Sequence, residues 1–168
     1  METRIVLALC LVLFSALCGK ALADGVRRRA ATLRQLSEGV RRLRVHMTSL
    51  FEPVQGALEH AGDPLLARVA EGMSGGASAG EAWHRLGVKS IRRGVPVDSL
   101  IEADRQILTR LFDSLGQTGR EEQDLLLSGV IEALERQQQA AQAKAAEADR
   151  LYLSLGLLIG LMLALIVI

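Results

Sequence analysis

Residues 72–87 read GMSGGASAGEAWHRLG, and the fold class turns on how they are taken. Gly76-Ala77-Ser78-Ala79-Gly80 satisfies the G-x-S-x-G spacing of a hydrolase nucleophile elbow, and His84 follows closely. A working elbow needs a strand before it and a helix after it, at the edge of a parallel sheet. The preceding PLLARVAEGM (Pro64–Met73) instead places apolar residues at helical spacing, and no β-α alternation occurs anywhere in the chain. An acid belonging to such a triad would have to lie between Ser78 and its histidine, where Glu81 sits on the same local helix. The pair Ser78 and Glu81 is better read as a capping box, the serine oxygen accepting an amide and the glutamate accepting in return. The chain is therefore expected to be all-α, with Ser74–Gly80 as a flexible hinge and no catalytic serine.

Helical periodicity extends in both directions from this point. Leu33, Leu36, Val40, Leu43, Met47 and Leu50 step by three and four, which predicts a long first helix with one apolar seam. Pro53 suits a first helical position and Gly62 a C-terminal cap, after Val54, Ala57, Leu58 and Ala61. Asp63-Pro64 predicts an N-cap and first residue for a helix carrying Leu65, Leu66, Val69 and Met73. Beyond the hinge, Ala82, Trp83, Leu86 and Ile91 mark another helix, and Gly94 and Pro96 break the chain. Ser99 with Glu102 predicts a capping box for a helix bearing Leu100, Ile107, Leu108, Leu111 and Leu115, ended by Gly116. Thr118 with Glu121 predicts a second box, before Leu126, Val130, Ala133 and Leu134. Residues 137–148, QQQAAQAKAAEA, are strong helix formers without an apolar face, the composition of a stalk.

The two ends of the chain have a different character. Leu151–Ile168, LYLSLGLLIGLMLALIVI, carries no charge, and eighteen helical residues rise about 27 Å, close to the thickness of a bilayer's hydrocarbon core. Arg150 and Tyr152 stand where interfacial anchors belong. Ile5–Gly19, IVLALCLVLFSALCG, is likewise uncharged. With its short basic start and Ala21-Leu22-Ala23 it fits a cleavable signal peptide; with Lys20 reaching to the interface it fits an uncleaved span. The net charge of +1 conceals an asymmetry that favours the second. From Lys20 to Arg44 there are eight basic residues against Asp24 and Glu38, which by the positive-inside rule places residues 24–150 in the cytoplasm. Both cysteines, Cys10 and Cys18, lie in the first apolar segment, so the part between the spans is not stapled by disulfides.

Motifs for other chemistry are missing from the sequence. His46, His60 and His84 lie on separate segments without metal-ligand spacing, so no metal is expected. No phosphate-cradling loop occurs, and one Trp with one Tyr makes no stacking platform, which argues against nucleotide and nucleic acid. Arg41, Arg42 and Arg44 can dock an acidic partner or nucleic acid, but a solvated face near anionic lipid is the better reading. Glu121 and Glu122 lie in a first helical turn, where the helix dipole favours negative charge. Gly156 and Gly160, four apart, fit close packing of another membrane helix, and also the ordinary frequency of glycine in spans.

Three segments in order, GEAWHRL (80–86), LFDSLGQTGREEQ (111–123) and YLSLGLLIG (152–160), carry a resemblance. They are similar to the Glu-Ala-Trp segment, the Leu-Gly turn followed by a glutamine, and the Ser-Leu-Gly start of the last span in the stage III sporulation protein AB family of endospore-forming bacteria. The chain departs from that pattern at Arg44, His46 and TSLFEPV (48–54), and at Gly119, where an aspartate is usual. The resemblance implies a small relative of the inner-membrane platform proteins of type II secretion and type IV pilus machines. It further implies a membrane part of the channel-like assembly between mother cell and forespore, working with a cytosolic secretion-type ATPase, and an uncleaved first span.

Together these readings predict a span over 1–23, a cytoplasmic helical bundle of two hinged hairpins with a stalk over 24–150, and a span over 151–168. The protein is expected to be a two-pass, non-enzymatic platform component in the mother-cell membrane around the forespore. It would need no cofactor or small-molecule substrate, and its partners would be lipid and other proteins of the complex. Its candidate partner-contact face is Arg41, Arg42, Arg44, Trp83, Glu121, Glu122 and Gln123, and its candidate helix-packing residues in the membrane are Gly156 and Gly160. A signal-peptide-cleaved, tail-anchored binding module outside the cytoplasm is the alternative.

Overall fold

The computed structural model describes residue 25, residues 27–89 and residues 99–167; side chains are described to residue 86, over 99–147, and at Ser154 and Leu158. Every regular element among these residues is helical. Residues 27–48 form α1. It is followed by α2 (Val54–His60), α3 (Pro64–Met73), α4 (Ala79–Lys89), α5 (Glu102–Ser114) and α6 (Arg120–Val167). The chain divides into two compact units, of which Arg29–Gln139 is the bundle. The other draws on the residues flanking it in sequence; in its part of α6, Ala141 and Ala145 are buried, four residues apart.

In the bundle the apolar stripes converge as their spacing requires. Leu33, Leu36, Val40 and Leu43 of α1 are fully or almost fully buried, with Leu58 of α2, Leu66 and Val69 of α3, Leu108, Leu111 and Phe112 of α5, and Leu127 and Leu134 of α6. Each such side chain contributes roughly 1.5–3 kcal/mol by leaving water. Consecutive helices pack on one another, α2 on α3, α3 on α4 and α4 on α5.

Local stop and start signals are realised at the junction of α2 and α3. Gly62 takes φ +69°, the left-handed conformation that ends a helix at little cost only for glycine. Asp63 then caps α3, its Oδ1 accepting from the amides of Leu65 (2.8 Å) and Leu66 (3.1 Å), with Pro64 in the first helical turn. The expected box at α4 is present too: Glu81 N donates to Ser78 Oγ (3.2 Å) and Ser78 N to Glu81 Oε2 (3.3 Å).

Several expectations are corrected. The first helix stops at residue 48, so Leu50 lies beyond it and is 57% exposed. Within the expected Ser74–Gly80 hinge, Ser74–Gly76 forms a hydrogen-bonded turn, with Ser74 N bonded to Glu71 O and Gly76 N to Met73 O. Across it α3 and α4 are so close that a Cβ on Gly72 would lie 3.0 Å from that of Ala82.

Helix α5 begins at Glu102, with Leu100 buried ahead of it. Its start is served by Asp104, whose Oδ2 accepts from Ile101 N (3.1 Å), while Ser99 bonds to Thr32 instead. Thr118 likewise serves another partner, its Oγ1 accepting from Gln123 Nε2 at 2.8 Å. In α6 the buried face is Leu127, Val130, Ile131 and Leu134, which leaves Leu126 and Ala133 half-buried at its edge.

The expected helix end and break at Ile91, Gly94 and Pro96 lie outside the described residues. So do the N-terminal segment and the side chains of Gly156 and Gly160. Among the described residues no helix is long and apolar enough to cross a membrane. The backbone of α6 is continuous helix to Val167.

Candidate functional site

Four arrangements of polar side chains stand out in the bundle, and each joins different helices or a helix to a loop. The first lies in its interior. Arg29 Nε and Nη2 donate to Oδ2 (2.8 Å) and Oδ1 (2.9 Å) of Asp104, and Nη2 also donates to Gln137 Oε1 (2.9 Å). Asp104 is 0% and Arg29 8% exposed, so an ion pair out of water joins α1 to α5, and the hydrogen bond to Gln137 adds α6. The hydrogen bond to Asp104, reinforced by its charge, raises the Arg29 pKa.

The second is a face shared by α1 and α6. Arg44 forms a two-point pair with Asp124, at 2.6 and 2.8 Å, and Arg41 pairs with Glu135. Their side chains border a groove of about 670 Å³, with Thr48, Ser128, Ile131 and Glu132. The hydrogen bond from Arg44 lowers the Asp124 pKa, and the same bond raises that of Arg44. Two of the three basic residues picked out in sequence therefore hold α1 to α6. The third, Arg42, is exposed and reaches the Glu38 carbonyl at 3.5 Å.

Trp83 and Gln123 are core groups in this structure. The Trp83 ring, 6% exposed, lies 5.1 Å from that of Phe112, and its Nε1 donates to Thr109 Oγ1 (2.9 Å). Gln123 is 4% exposed; its Nε2 donates to Ser114 O and Thr118 Oγ1, joining the end of α5 to the start of α6. Its Oε1 is buried without a hydrogen-bond partner. Glu121 and Glu122 are exposed on the first turn of α6.

The fourth arrangement had no signal in sequence spacing. His46 near the end of α1, Glu52 in the following loop and His60 at the end of α2 come together, their ligand-type atoms all within 4.8 Å. Nδ1 of His46 and Nδ1 of His60 lie 3.1 and 3.0 Å from the same atom, Glu52 Oε2. The loop is bent to make this possible. Phe51 adopts φ +59°, and Glu52 N donates back to His46 O at 3.0 Å. A phenylalanine held in the left-handed region costs about 1–3 kcal/mol, which the surrounding fold must offset. Arg120 lies over its ring, 3.8 Å from the centroid. The hydrogen bond from His60 lowers the Glu52 pKa, and Glu52 in turn raises that of His60, aided by Glu59. His84 is remote from these and pairs with Asp113 at 3.1 Å.

Fold and side chains together define a small all-α bundle whose polar groups tie helix to helix. Ser78, the one motif serine, is engaged as a helix cap. A family model for stage III sporulation protein AB matches residues 4–168, and the chain belongs to that family. The family gives the protein a part in sporulation, and it is not a known enzyme family. A solved structure of stage III sporulation protein AB is similar, with a TM-score of 0.60 and 19% identity, over 71% of this chain and 97% of that one. At that identity the likeness concerns the fold. No curated protein matches the chain.

Proposed function

We propose that the protein is a two-pass membrane platform component of a channel-type complex between mother cell and forespore, with its bundle in the cytoplasm. In this reading the bundle receives force from a secretion-type ATPase and passes it along α6. The observation that supports it most is a mechanical one. Helices α1 and α6 are pinned by Arg29–Asp104–Gln137, Arg44–Asp124 and Arg41–Glu135, and α6 then runs unbroken to Val167. Paired charges with fixed two-point geometry resist sliding of one helix on another better than apolar contacts alone. An unbroken helix transmits displacement along its axis, and a proline within it, which α6 lacks, would kink or break it.

The reading is tested on full-length protein in membranes of sporulating cells. Wild-type protein should co-purify with the ATPase. A chain with two prolines inserted after Ala141 should still capture the ATPase but fail to support spore formation. ATPase recruitment that survives deletion of the bundle would sink the proposal. Intact mass supplies an independent check: a chain beginning at Asp24 would put the bundle outside the cytoplasm, beyond reach of the ATPase.

A further inference from the structure

We propose that His46, Glu52 and His60 form a binding site for a divalent transition-metal ion of the zinc type, with solvent completing the coordination. The argument begins with convergence. Two imidazole nitrogens from different helices are aimed at one carboxylate oxygen, 3.1 and 3.0 Å away. Zinc binds His nitrogen and carboxylate oxygen at about 2.0–2.2 Å, so ligand atoms around a tetrahedral ion are about 3.4 Å apart. Both nitrogen–oxygen separations lie within a few tenths of an ångström of that spacing. All three ligand atoms fall within 4.8 Å of one another, so the set closes on an ion when they draw together by up to about 1.4 Å.

The donors select the class of ion. Two nitrogens and one oxygen suit zinc, cobalt, nickel or copper. Calcium and magnesium prefer six or more oxygen ligands, counting water, and find one carboxylate here. Three protein ligands leave a coordination position open, and His60, with 61% of its side chain exposed, leaves that position within reach of water.

Backbone geometry holds the ligands before any ion arrives. His46 is fixed by α1 and His60 by α2. Glu52 is turned toward them by the left-handed Phe51 and by its own amide bond to the His46 carbonyl. An unfavourable conformation at a bulky residue, adjacent to three convergent ligand-type groups, is the kind of strain that persists where a site is built. A bound ion would clip the end of α1 to the end of α2 and fix the loop whose Phe51 touches Arg120 of α6.

The test uses untagged full-length protein, stripped with chelator and titrated with cobalt(II) and then zinc(II). Saturable, stoichiometric binding is expected, with the visible ligand-field bands of four-coordinate cobalt that zinc abolishes, and a rise in melting temperature. H46A and H60A should each weaken zinc binding by at least about 10–100-fold, the loss typical even of outer-shell changes. E52Q, which keeps the shape but removes the charge, should weaken it as well. H84A should bind as wild type does. Circular dichroism of each stripped variant checks that its fold is retained. Absence of saturable binding in wild type overturns the proposal, and so does binding that survives in H46A H60A or is lost in H84A, the signature of adventitious surface histidines.

Discussion

Arg29 and Asp104, separated by 75 residues, meet as a two-point ion pair of 2.8 and 2.9 Å in the interior of the bundle. Their geometry leaves neither charge alone, and the Ile101 amide and Gln137 carbonyl oxygen take up the remaining capacity. Removing one partner strands the other in a medium of low polarity. D104A should therefore cost about 3–5 kcal/mol in chemical denaturation, whereas replacing both charges with apolar groups, R29M D104L, should recover most of that loss. A cost for D104A below about 1 kcal/mol would mean that the pair is solvated as a surface bridge is.

Asp63 couples capping to pH. Burial raises its pKa, against the lowering effect of the Leu66 and Leu65 amides and of Arg42. The folded state then binds the Asp63 proton more tightly than the unfolded chain does. Between the unfolded value and the raised folded value, stability contributed at this position falls as pH rises. D63N keeps an acceptor for both amides without the charge, so its advantage over wild type should grow as pH rises above the unfolded carboxyl value of about 4. D63A, which has no acceptor, should lose about 1 kcal/mol. Denaturation midpoints measured across that range decide the matter, and an advantage for D63N that shrinks with rising pH would refute the assignment.

Ser78 is predicted to act through a hydrogen bond and not through nucleophilic chemistry. S78A should lower stability by about 0.5–2 kcal/mol, and restoring stability elsewhere should restore sporulation in full. A variant as stable as wild type that nevertheless fails to sporulate would revive a chemical role for the serine.

Gly80 is held by proximity. A Cβ there would lie 2.7 Å from Asp113 Oδ1 and 3.2 Å from the Asp113 Cα, a backbone atom that cannot swing aside. G80A should separate α4 from α5 at a cost of about 1–3 kcal/mol, as overpacking does. G129A, at an exposed position within α6 where no neighbouring element lies within 4 Å of the added carbon, is the matched control and should not destabilise the protein.

The sequence by itself determined the all-helical class, the Gly62 stop, the Asp63-Pro64 start and the Ser78–Glu81 box. It also carried the family, through segments spread over the chain. Those helix signals are legible because capping and turn formation act over three or four residues, where the chain itself enforces proximity. Where several polar residues competed for one role, local reading failed: Asp104 and not Ser99 serves the start of α5, and Thr118 answers Gln123. The α6 face was misread by one residue, Leu126 for Leu127, because leucines at 125, 126 and 127 offer three registers and only the packed neighbours choose between them. Tertiary structure alone decided the ion pairs and the histidine cluster. Nothing in local sequence relates Arg29 to Asp104, Arg44 to Asp124, or His46 to His60 through Glu52. Their encounters follow from how whole helices pack, and the apolar stripes that drive packing say nothing of which charges will meet at the seam.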